Sequence, residues 1–508
     1  MAPFAARQTG SSRAPIRIGA MKKASIPIAA LAALLVAVAP VSAAESRPGL
    51  KPCRLQGLEN DAWCGVLQRP LDPAQPQGKQ IDIHYAVIPA LARNRKPDPV
   101  LFFAGGPGQS AMDLAGPVSR MLARLSNRRD VVLVDQRGTG RSAPLLCDET
   151  PPTAPLAEVI DPARQLDKLR ACREKLQTLP HGDLRQYTTW IAMQDADAVR
   201  AALGATKVNV IGGSYGTRAV LEYLRQFPQT VRRAVIDGVA PPDMVLPMSF
   251  AVDQQAAFDA LLQSCEKEAA CLARYPRLRE RWKSLMASLP REVSVLHPVT
   301  GVAETLTLTR EMLGTLVRPP LYSPMLASAL PLALAEASEG RFTALFGVAS
   351  SLGGGRGMAM AAGMHYSVIC AEDVPRMAGH PEAASPDFGD SFAALYRGVC
   401  ADWPRGDVPA AFYTLPPAPA ATLVLSGGID PVTPPRHGER VAKALGAKAR
   451  HVVVANAGHG VMALGCMRDV LVRFVDAASD DEALKVDTGC AAAVPRPPAF
   501  LPVSGAAP

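Results

Sequence analysis

Short, uninterrupted apolar segments that end in glycine-rich turns constrain the fold of this chain most strongly. Four of them are Pro99–Phe103, Asp130–Asp135, Val208–Ile211 and Val235–Asp237, and helical patterns such as Thr189 to Leu203 lie between them. Strands that are apolar on both faces and alternate with helices are typical of a parallel sheet covered on both sides. The same pattern returns at 421–425 and 451–454. We therefore predict a mostly parallel α/β fold.

Between these two runs of strands the pattern is helical. The sequence favours four regions: residues 1–44 as an export segment, 45–240 as the first part of an α/β core, 241–410 as a helical cap, and 411–508 as the end of the core with a Pro/Ala-rich tail. Within the cap, Pro319-Pro320 and Pro324 are expected to break the helices.

A serine lies at the turn after one of the buried strands. Gly212-Gly213-Ser214-Tyr215-Gly216 fits the G-x-S-x-G pattern between a strand and the helix from Thr217 to Gln226. In this setting the serine sits on a strained turn that exposes its hydroxyl, and glycines allow the strand and helix to approach closely. The pattern predicts a nucleophilic serine; the alternative is an ordinary glycine-rich turn.

A base and an acid follow in the chain order that such a nucleophile requires. Asp430 lies directly after the strand 421–425, and His459 lies in the loop after the strand 451–454. His459 would accept the Ser214 proton as general base, and Asp430 would orient the imidazole. The alternatives are a turn aspartate before Pro431 and a structural histidine.

The oxyanion of such a reaction needs two hydrogen-bond donors. One is expected to be the Tyr215 N–H, which directly follows the nucleophile. The Gly105-Gly106-Pro107-Gly108 loop is the candidate for the other, with the Gly106 N–H favoured; a simple tight turn is the alternative.

Five motifs together resemble the proline iminopeptidase branch of the α/β-hydrolases, and most closely its secreted tripeptidyl aminopeptidases. They are Gly-Gly-Pro-Gly (105–108), Asp-Gln-Arg-Gly-Thr-Gly-Arg-Ser (135–142), Gly-Gly-Ser-Tyr-Gly-Thr (212–217), Ser-Gly-Gly-Ile-Asp-Pro-Val-Thr-Pro-Pro (426–435) and Ala-Gly-His-Gly (457–460). The resemblance implies an α/β-hydrolase fold and aminopeptidase activity. Ala104 stands where cytosolic proline iminopeptidases usually have histidine, which favours the secreted branch and puts strict proline specificity in doubt.

An aminopeptidase must also recognise the free α-ammonium group of its substrate, which calls for a carboxylate. Glu372 and Asp373 follow Cys370 late in the helical region. The resemblance to secreted tripeptidyl aminopeptidases, which tend to carry an acidic pair here, supports a substrate-binding role; the alternative is a solvated acidic turn.

The N-terminal segment predicts export. Residues 1–44 contain five Lys/Arg and no Asp/Glu. Within this segment an apolar run follows Lys23 and ends at Ser42-Ala43-Ala44. This pattern is typical of a cleavable signal peptide cut after Ala43. An uncleaved membrane anchor is the alternative, although the run is shorter than the about 20 residues of a membrane span. Removing this segment lowers the net charge from +8 to +3, so we expect no nucleic-acid partner.

Ten cysteines in an exported chain favour disulfides over metal ligation, because no C-x-x-C spacing is present. Pairing of sequence neighbours is the simplest of the possible connectivities. The sequence thus predicts a secreted or periplasmic serine aminopeptidase that acts on short peptides with a free N-terminus and needs no metal or organic cofactor. A carboxylesterase or lipase with the same three catalytic residues is the alternative.

Overall fold

The computed structural model describes residue 47 and residues 49–351, 360–380 and 384–502. The chain divides into two units, 1–46 and 47–508, and the fold described below is that of the second. The predicted export segment, residues 1–44, lies outside the described residues. Among the described helices, none is long and apolar enough to cross a membrane.

A nine-stranded sheet with the order β1-β2-β3-β5-β4-β6-β7-β10-β11 forms the core. Its strands are β1 (Lys51–Cys53), β2 (Ala62–Pro70), β3 (Gln80–Ile88), β4 (Val100–Phe103), β5 (Val131–Val134), β6 (Val208–Gly213), β7 (Val231–Asp237), β10 (Thr422–Gly427) and β11 (Ala449–Val454). The run from β5 to β11 is parallel, whereas β1, β2 and β3 pair antiparallel. The prediction of a mostly parallel α/β fold is therefore confirmed.

Helices cover both faces of this sheet, because successive apolar residues of the central strands point to opposite sides. Phe103 and Val210 belong to the core on one face, whereas Phe102 and Ile211 belong to the core on the other. The core helices are α1 (Ala115–Met121), α2 (Ala123–Ser126), α3 (Leu156–Ile160), α4 (Pro162–Gln177), α5 (Thr189–Ala202), α6 (Tyr215–Gln226), α16 (Pro435–Leu445), α17 (Met467–Asp476) and α18 (Asp480–Leu484).

The chain between β7 and β10 is an insertion that is mainly helical. Its elements are α7 (Phe250–Lys267), α8 (Ala269–Arg274), α9 (Leu278–Ala287), β8 (Arg291–Leu296), β9 (Ala303–Leu308), α10 (Arg310–Leu321), α11 (Pro324–Ala327), α12 (Leu330–Ser338), α13 (Thr343–Ser350), α14 (Ala362–Glu372) and α15 (Ser391–Cys400). Part of the insertion has a hydrophobic core of its own, in which the Phe258 and Trp282 rings lie 4.9 Å apart.

The insertion differs from the sequence prediction in two details. The hairpin of β8 and β9 was not predicted. Its two strands have only six residues each, so their alternation of exposed and buried residues is a weak signal within a mainly helical region. Pro319 and Pro320 do not break α10 but lie inside its last turns, and the helix ends one residue later at Leu321.

Five disulfides join the ten cysteines, each to its neighbour in sequence: Cys53–Cys64, Cys147–Cys172, Cys265–Cys271, Cys370–Cys400 and Cys466–Cys490. The simplest predicted pairing is therefore confirmed. Disulfides at this density are typical of proteins that fold in an oxidising compartment.

Candidate active site

Ser214 occupies a strained turn between β6 and α6. Its backbone dihedral angles are φ 56° and ψ −127°, a conformation that costs energy for any residue other than glycine. The flanking glycines are required because a side chain at either position would clash with the backbone. A Cβ on Gly212 would lie 2.2 Å from the carbonyl oxygen of Gly216, and a Cβ on Gly216 would lie 2.2 Å from the carbonyl oxygen of Phe103. The turn thus holds the serine at the carboxyl edge of the sheet.

Asp430 and His459 meet in the loops that follow β10 and β11. The His459 Nδ1 lies 2.8 Å from Asp430 Oδ2. Asp430 also accepts hydrogen bonds from the backbone amides of Val432 and Thr433, both at 2.9 Å, and from the Thr433 hydroxyl at 2.8 Å. The carboxylate is therefore fixed by its own loop before it orients the imidazole.

The charges of this pair stabilise each other. Burial opposes the charge of the His459 ring, but the Asp430 carboxylate outweighs burial and raises the pKa of His459 above its usual value. Burial also disfavours the Asp430 carboxylate, yet the ring of His459 and the surrounding donors lower the pKa of Asp430. Asp430 consequently stays ionised at neutral pH, as a group that stabilises an imidazolium must.

Asp237, at the end of β7, connects the serine turn to the histidine loop. Its backbone carbonyl accepts a hydrogen bond from the Ser214 N–H at 2.9 Å. Its carboxylate Oδ2 accepts the amides of Val461 and Met462, at 2.7 and 2.8 Å, directly beyond His459. Burial, only partly offset by these amides, raises the pKa of Asp237 to about 6.

The insertion also reaches the histidine. The carbonyl of Tyr322, at the end of α10, accepts the His459 N–H at 2.8 Å. The two rings pack edge to face with centroids 5.2 Å apart. The His459 ring is thereby held from its own loop, from Asp430 and from the insertion.

The two predicted oxyanion donors belong to the Gly105–Gly108 loop and to the residue that follows Ser214. Gly106 has a φ of +112°, which a residue with a side chain would rarely adopt, and a Cβ on neighbouring Gly105 would lie 3.3 Å from the Ser214 Cβ. The Gly105–Gly108 loop thus lies against the serine. Tyr215 is the first residue of α6, where backbone N–H groups have no intrahelical acceptor.

This topology and this site agree with two family matches. The family described as "alpha/beta hydrolase fold" matches residues 98–264, which contain Ser214 and the Gly105–Gly108 loop. The family described as "TAP-like protein" matches residues 385–490, which contain Asp430 and His459.

The chain has an α/β-hydrolase fold.

Several curated proteins are similar to this hydrolase. It is 27% identical over 434 residues to the serine protease Hip1 of Mycobacterium tuberculosis, covering 78% of this chain and 82% of the relative. It is 31% identical over 271 residues to the tripeptidyl aminopeptidase of Streptomyces lividans, covering 49% of this chain and about half (50%) of the relative. It is 28% identical over 434 residues to carboxylesterase B of M. tuberculosis, covering 76% and 78%. Together with the fold, these relatives identify the hydrolase as a serine hydrolase.

The Asp-Gln-Arg-Gly-Thr-Gly-Arg-Ser motif of the hydrolase contacts the residues that follow the Gly105–Gly108 loop. Asp135 accepts hydrogen bonds from the Ser110 hydroxyl at 2.7 Å and from the Met112 amide at 3.0 Å, just beyond that loop. Arg137 is buried and forms two hydrogen bonds with Asp195, at 2.7 and 3.0 Å. The motif therefore holds the chain that follows the Gly105–Gly108 loop in place through Asp135.

Glu372 and Asp373 have partners different from those predicted for them. Both are fully buried and pair with Arg218 of α6, which donates to Asp373 at 2.8 and 3.0 Å and to Glu372 at 3.2 Å. Glu372 also accepts the Thr189 amide at 2.6 Å. Both carboxylates already accept hydrogen bonds from donors of the protein. Neither therefore faces solvent as an ammonium-binding group would.

This ion cluster instead attaches the nucleophile helix to the insertion. Arg218 lies one helical turn beyond Ser214, and the Thr189 hydroxyl that contacts Glu372 lies 2.7 Å from the Tyr215 hydroxyl. Burial raises the pKa of Glu372 to about 7, against the opposing effect of Arg218. The cluster thus contacts the residue that supplies a predicted oxyanion donor.

Four residues in or beside the candidate site were not found by sequence reasoning: Thr433, Asp237, Arg218 and Tyr322. Two of them had a signal that could have been used. Asp237 ends a buried strand in the way that Asp430 follows one, and Arg218 is a charged residue one helical turn after Ser214. Tyr322 had none, because its contact with His459 depends on the path of the insertion.

Proposed function

We propose that this serine hydrolase is an exported aminopeptidase that hydrolyses amide bonds near the free N-termini of short peptides, with Ser214, His459 and Asp430 as its catalytic residues. The observation that carries the proposal is the strained backbone of Ser214, with φ 56°, at the strand-to-helix turn. Strain of this kind persists where the surrounding structure over-determines it, as at a nucleophile.

In this mechanism Ser214 Oγ attacks the scissile carbonyl carbon while His459 Nε2 accepts the hydroxyl proton. The Gly106 and Tyr215 amides donate to the oxyanion of the tetrahedral intermediate. The His459 imidazolium, stabilised by Asp430 at 2.8 Å, then gives its proton to the leaving amine. Water next attacks the acyl-enzyme, with His459 again as base, and releases the acid and Ser214.

The substrate class rests on the named activities of relatives and on the insertion. Tripeptidyl aminopeptidase and serine protease are the activities printed for two of them. The helical insertion lies between β7 and β10 and contacts His459 through Tyr322, so it would restrict access for folded proteins and favour short peptides. Glu372 and Asp373 are better suited to positioning α6 than to direct contact with a substrate ammonium group.

A carboxylesterase is the second candidate, since carboxylesterase B is similar over most of both chains. The two activities use the same catalytic residues and differ in whether a free amino group is required. Profiling the purified protein on aminoacyl, dipeptidyl and tripeptidyl p-nitroanilides, each beside its N-acetylated form, separates them.

The aminopeptidase proposal expects turnover of at least one free-amine series and loss of that turnover on acetylation. Ser214→Ala should abolish both turnover and labelling by a fluorophosphonate. Strong hydrolysis of p-nitrophenyl esters with no cleavage of any free-amine peptide would assign the esterase activity instead. Absence of all turnover together with absence of labelling would remove the hydrolase proposal.

Export is proposed from the charge pattern of residues 1–44 and is supported by the five disulfides. Sequencing the N-terminus of the protein recovered from outside the cytoplasm tests it. A mature N-terminus at Ala44 is expected, and an intact Met1 or Met21 in that fraction would contradict cleavage.

A further inference from the structure

A guanidinium group without a partner lies in the insertion. Arg318 of α10 is partly buried, and no carboxylate or hydrogen-bond acceptor contacts it within the described part of the chain. The buried arginines of the core behave differently: Arg129, Arg137 and Arg218 each form a salt bridge with an aspartate at 2.7 to 2.9 Å. The five N–H donors of Arg318 thus have no acceptor among the described residues.

Aromatic rings surround this guanidinium. Its Cζ lies 3.7 Å from the centroid of the Phe392 ring, a distance typical of a cation–π contact. The hydroxyls of Tyr322, Tyr366 and Tyr396 are its electrostatic neighbours, and burial lowers the pKa of Arg318. The rings stabilise the charge only in part, because none of the three hydroxyls forms a hydrogen bond with Arg318 and no carboxylate of the described residues pairs with it.

The same rings contact both halves of the active site. Tyr322 packs against the His459 ring. The Tyr396 hydroxyl lies 2.8 Å from Nε2 of His365, whose Nδ1 lies 3.0 Å from the Pro107 carbonyl in the oxyanion loop. Arg318 and Tyr322 are four residues apart and Tyr322 keeps helical dihedral angles, so they share a face of α10. Arg318 thus lies about one helical turn, roughly 5 Å, from the ring that packs on His459.

We propose that Arg318 binds a carboxylate of the substrate. The proposal rests on the proposed function and adds a charge requirement to it. Each residue of an extended peptide spans about 3.3 to 3.6 Å, so a carboxylate two or three residues from the scissile bond would reach Arg318. A partly desolvated guanidinium binds such a group with two parallel hydrogen bonds. The carboxylate is either the free C-terminus of a short peptide or an acidic side chain.

Paired substrates test this proposal. Free-amine tripeptides to pentapeptides with a C-terminal carboxylate are compared with their C-terminal amides, and peptides containing Glu are compared with the same peptides containing Gln. We expect wild type to cleave the carboxylate form of at least one pair with a kcat/KM at least tenfold higher, mainly through KM. The pair that shows the preference identifies the source of the carboxylate.

Three variants assign the preference to a residue. Arg318→Met should lower the carboxylate-to-neutral ratio of kcat/KM to near one, whereas Arg318→Lys should retain part of it. Arg274→Met is the matched control, because Arg274 also lies over an aromatic ring of the insertion, that of Tyr275, but is exposed. It should keep the wild-type ratio. Equal ratios in wild type and Arg318→Met overturn the proposal.

A second readout keeps this test separate from the test of peptidase activity. Protection of Ser214 from fluorophosphonate labelling is measured with monomethyl adipate, which carries one carboxylate, and with dimethyl adipate, which carries none. If no peptide is cleaved, the aminopeptidase proposal fails. Stronger protection by monomethyl adipate that is lost in Arg318→Met would then still support the carboxylate site, and equal protection by both compounds would overturn it.

Discussion

At the scale of single residues, the acid of the site is held by more groups than the histidine alone. Asp430 accepts two backbone amides and the Thr433 hydroxyl besides His459, and it is fully enclosed by its loop. An uncharged amide at position 430 could still accept these hydrogen bonds, whereas removal of the side chain would lose them. The loop should therefore keep its conformation when only the charge is removed. This makes a charge-only substitution informative.

Asp430→Asn should lower kcat by roughly 10³ to 10⁴, because an amide stabilises the wrong tautomer of His459 and cannot balance an imidazolium. Steady-state kinetics on the best free-amine substrate measures the effect. Asp167→Asn, a change in an exposed ion pair on α4, is the control and should leave kcat unchanged. A loss below tenfold for Asp430→Asn would contradict the assignment of the acid.

Asp237 should influence the titration of His459. Its carboxylate raises the pKa of His459, so Asp237→Asn should shift the acidic limb of the kcat/KM profile to lower pH. The asparagine carbonyl can still accept the Val461 and Met462 amides, so a purely structural role would leave the position of that limb unchanged. Profiles of kcat/KM from pH 5 to 9 distinguish the two outcomes.

Residues close to one another in sequence were the predictable part of the site. Ser214, Asp430 and His459 each follow a recognisable buried strand, and local sequence determines such turns. The partners of Glu372 were not predictable, because Arg218 and Thr189 lie more than 150 residues away along the chain. A solvated acidic turn and a buried ion cluster have the same local sequence.

At the scale of elements, α14 and α15 join the insertion to the site. The Cys370–Cys400 disulfide links them, and α14 also carries His365, whose ring contacts the Pro107 carbonyl, and Glu372 of the ion cluster. The two helices thus connect the Gly105–Gly108 loop to α6, the helix that follows Ser214.

Replacing both Cys370 and Cys400 by Ser should destabilise the protein by about 2–4 kcal/mol, because the bridge closes a loop of 30 residues. The matched double variant at Cys265 and Cys271 opens a loop of only 6 residues and should cost about 1 kcal/mol less. Urea unfolding followed by fluorescence measures both. An equal or larger loss for the shorter loop would contradict the chain-entropy explanation.

The strands of the core were predictable as elements because short apolar runs that end at turn signals are typical of buried strands, as in the fully buried Val131–Val134. The insertion was less predictable. Its helices have short or interrupted apolar stripes, and α10 includes Pro319 and Pro320 in its last turn, where the two missing N–H donors leave the preceding turns intact.

At the scale of the whole molecule, stability should depend on pH through buried carboxyl groups. Glu372 has a folded-state pKa of about 7, above the about 4.3 expected in the unfolded chain. The folded state therefore binds the extra proton between these values. The stabilising contribution of the protonated group is fully present below about pH 4.3 and is lost as the pH rises through about 7.

Glu372→Gln cannot titrate and should flatten this dependence. The change in the free energy of unfolding between pH 5 and pH 8 should be smaller than in wild type by on the order of 1–3 kcal/mol. Chemical unfolding at the two pH values measures it, with exposed Glu174→Gln of α4 as control. An unchanged slope in Glu372→Gln would show that the carboxyl group ionises normally in the folded protein.

The hydrogen bond from the His459 amide to the Tyr322 carbonyl has a consequence for modular engineering. Insertions on this kind of core are attractive to exchange, because they can be cut at two loops and replaced to alter selectivity. Here the exchange would remove the Tyr322 carbonyl that accepts the His459 amide and so holds the backbone of the proposed base. A graft that supplies only a new binding surface would remove this support from the His459 loop. An exchanged insertion therefore has to include an equivalent of the last turn of α10 and its Tyr322 carbonyl.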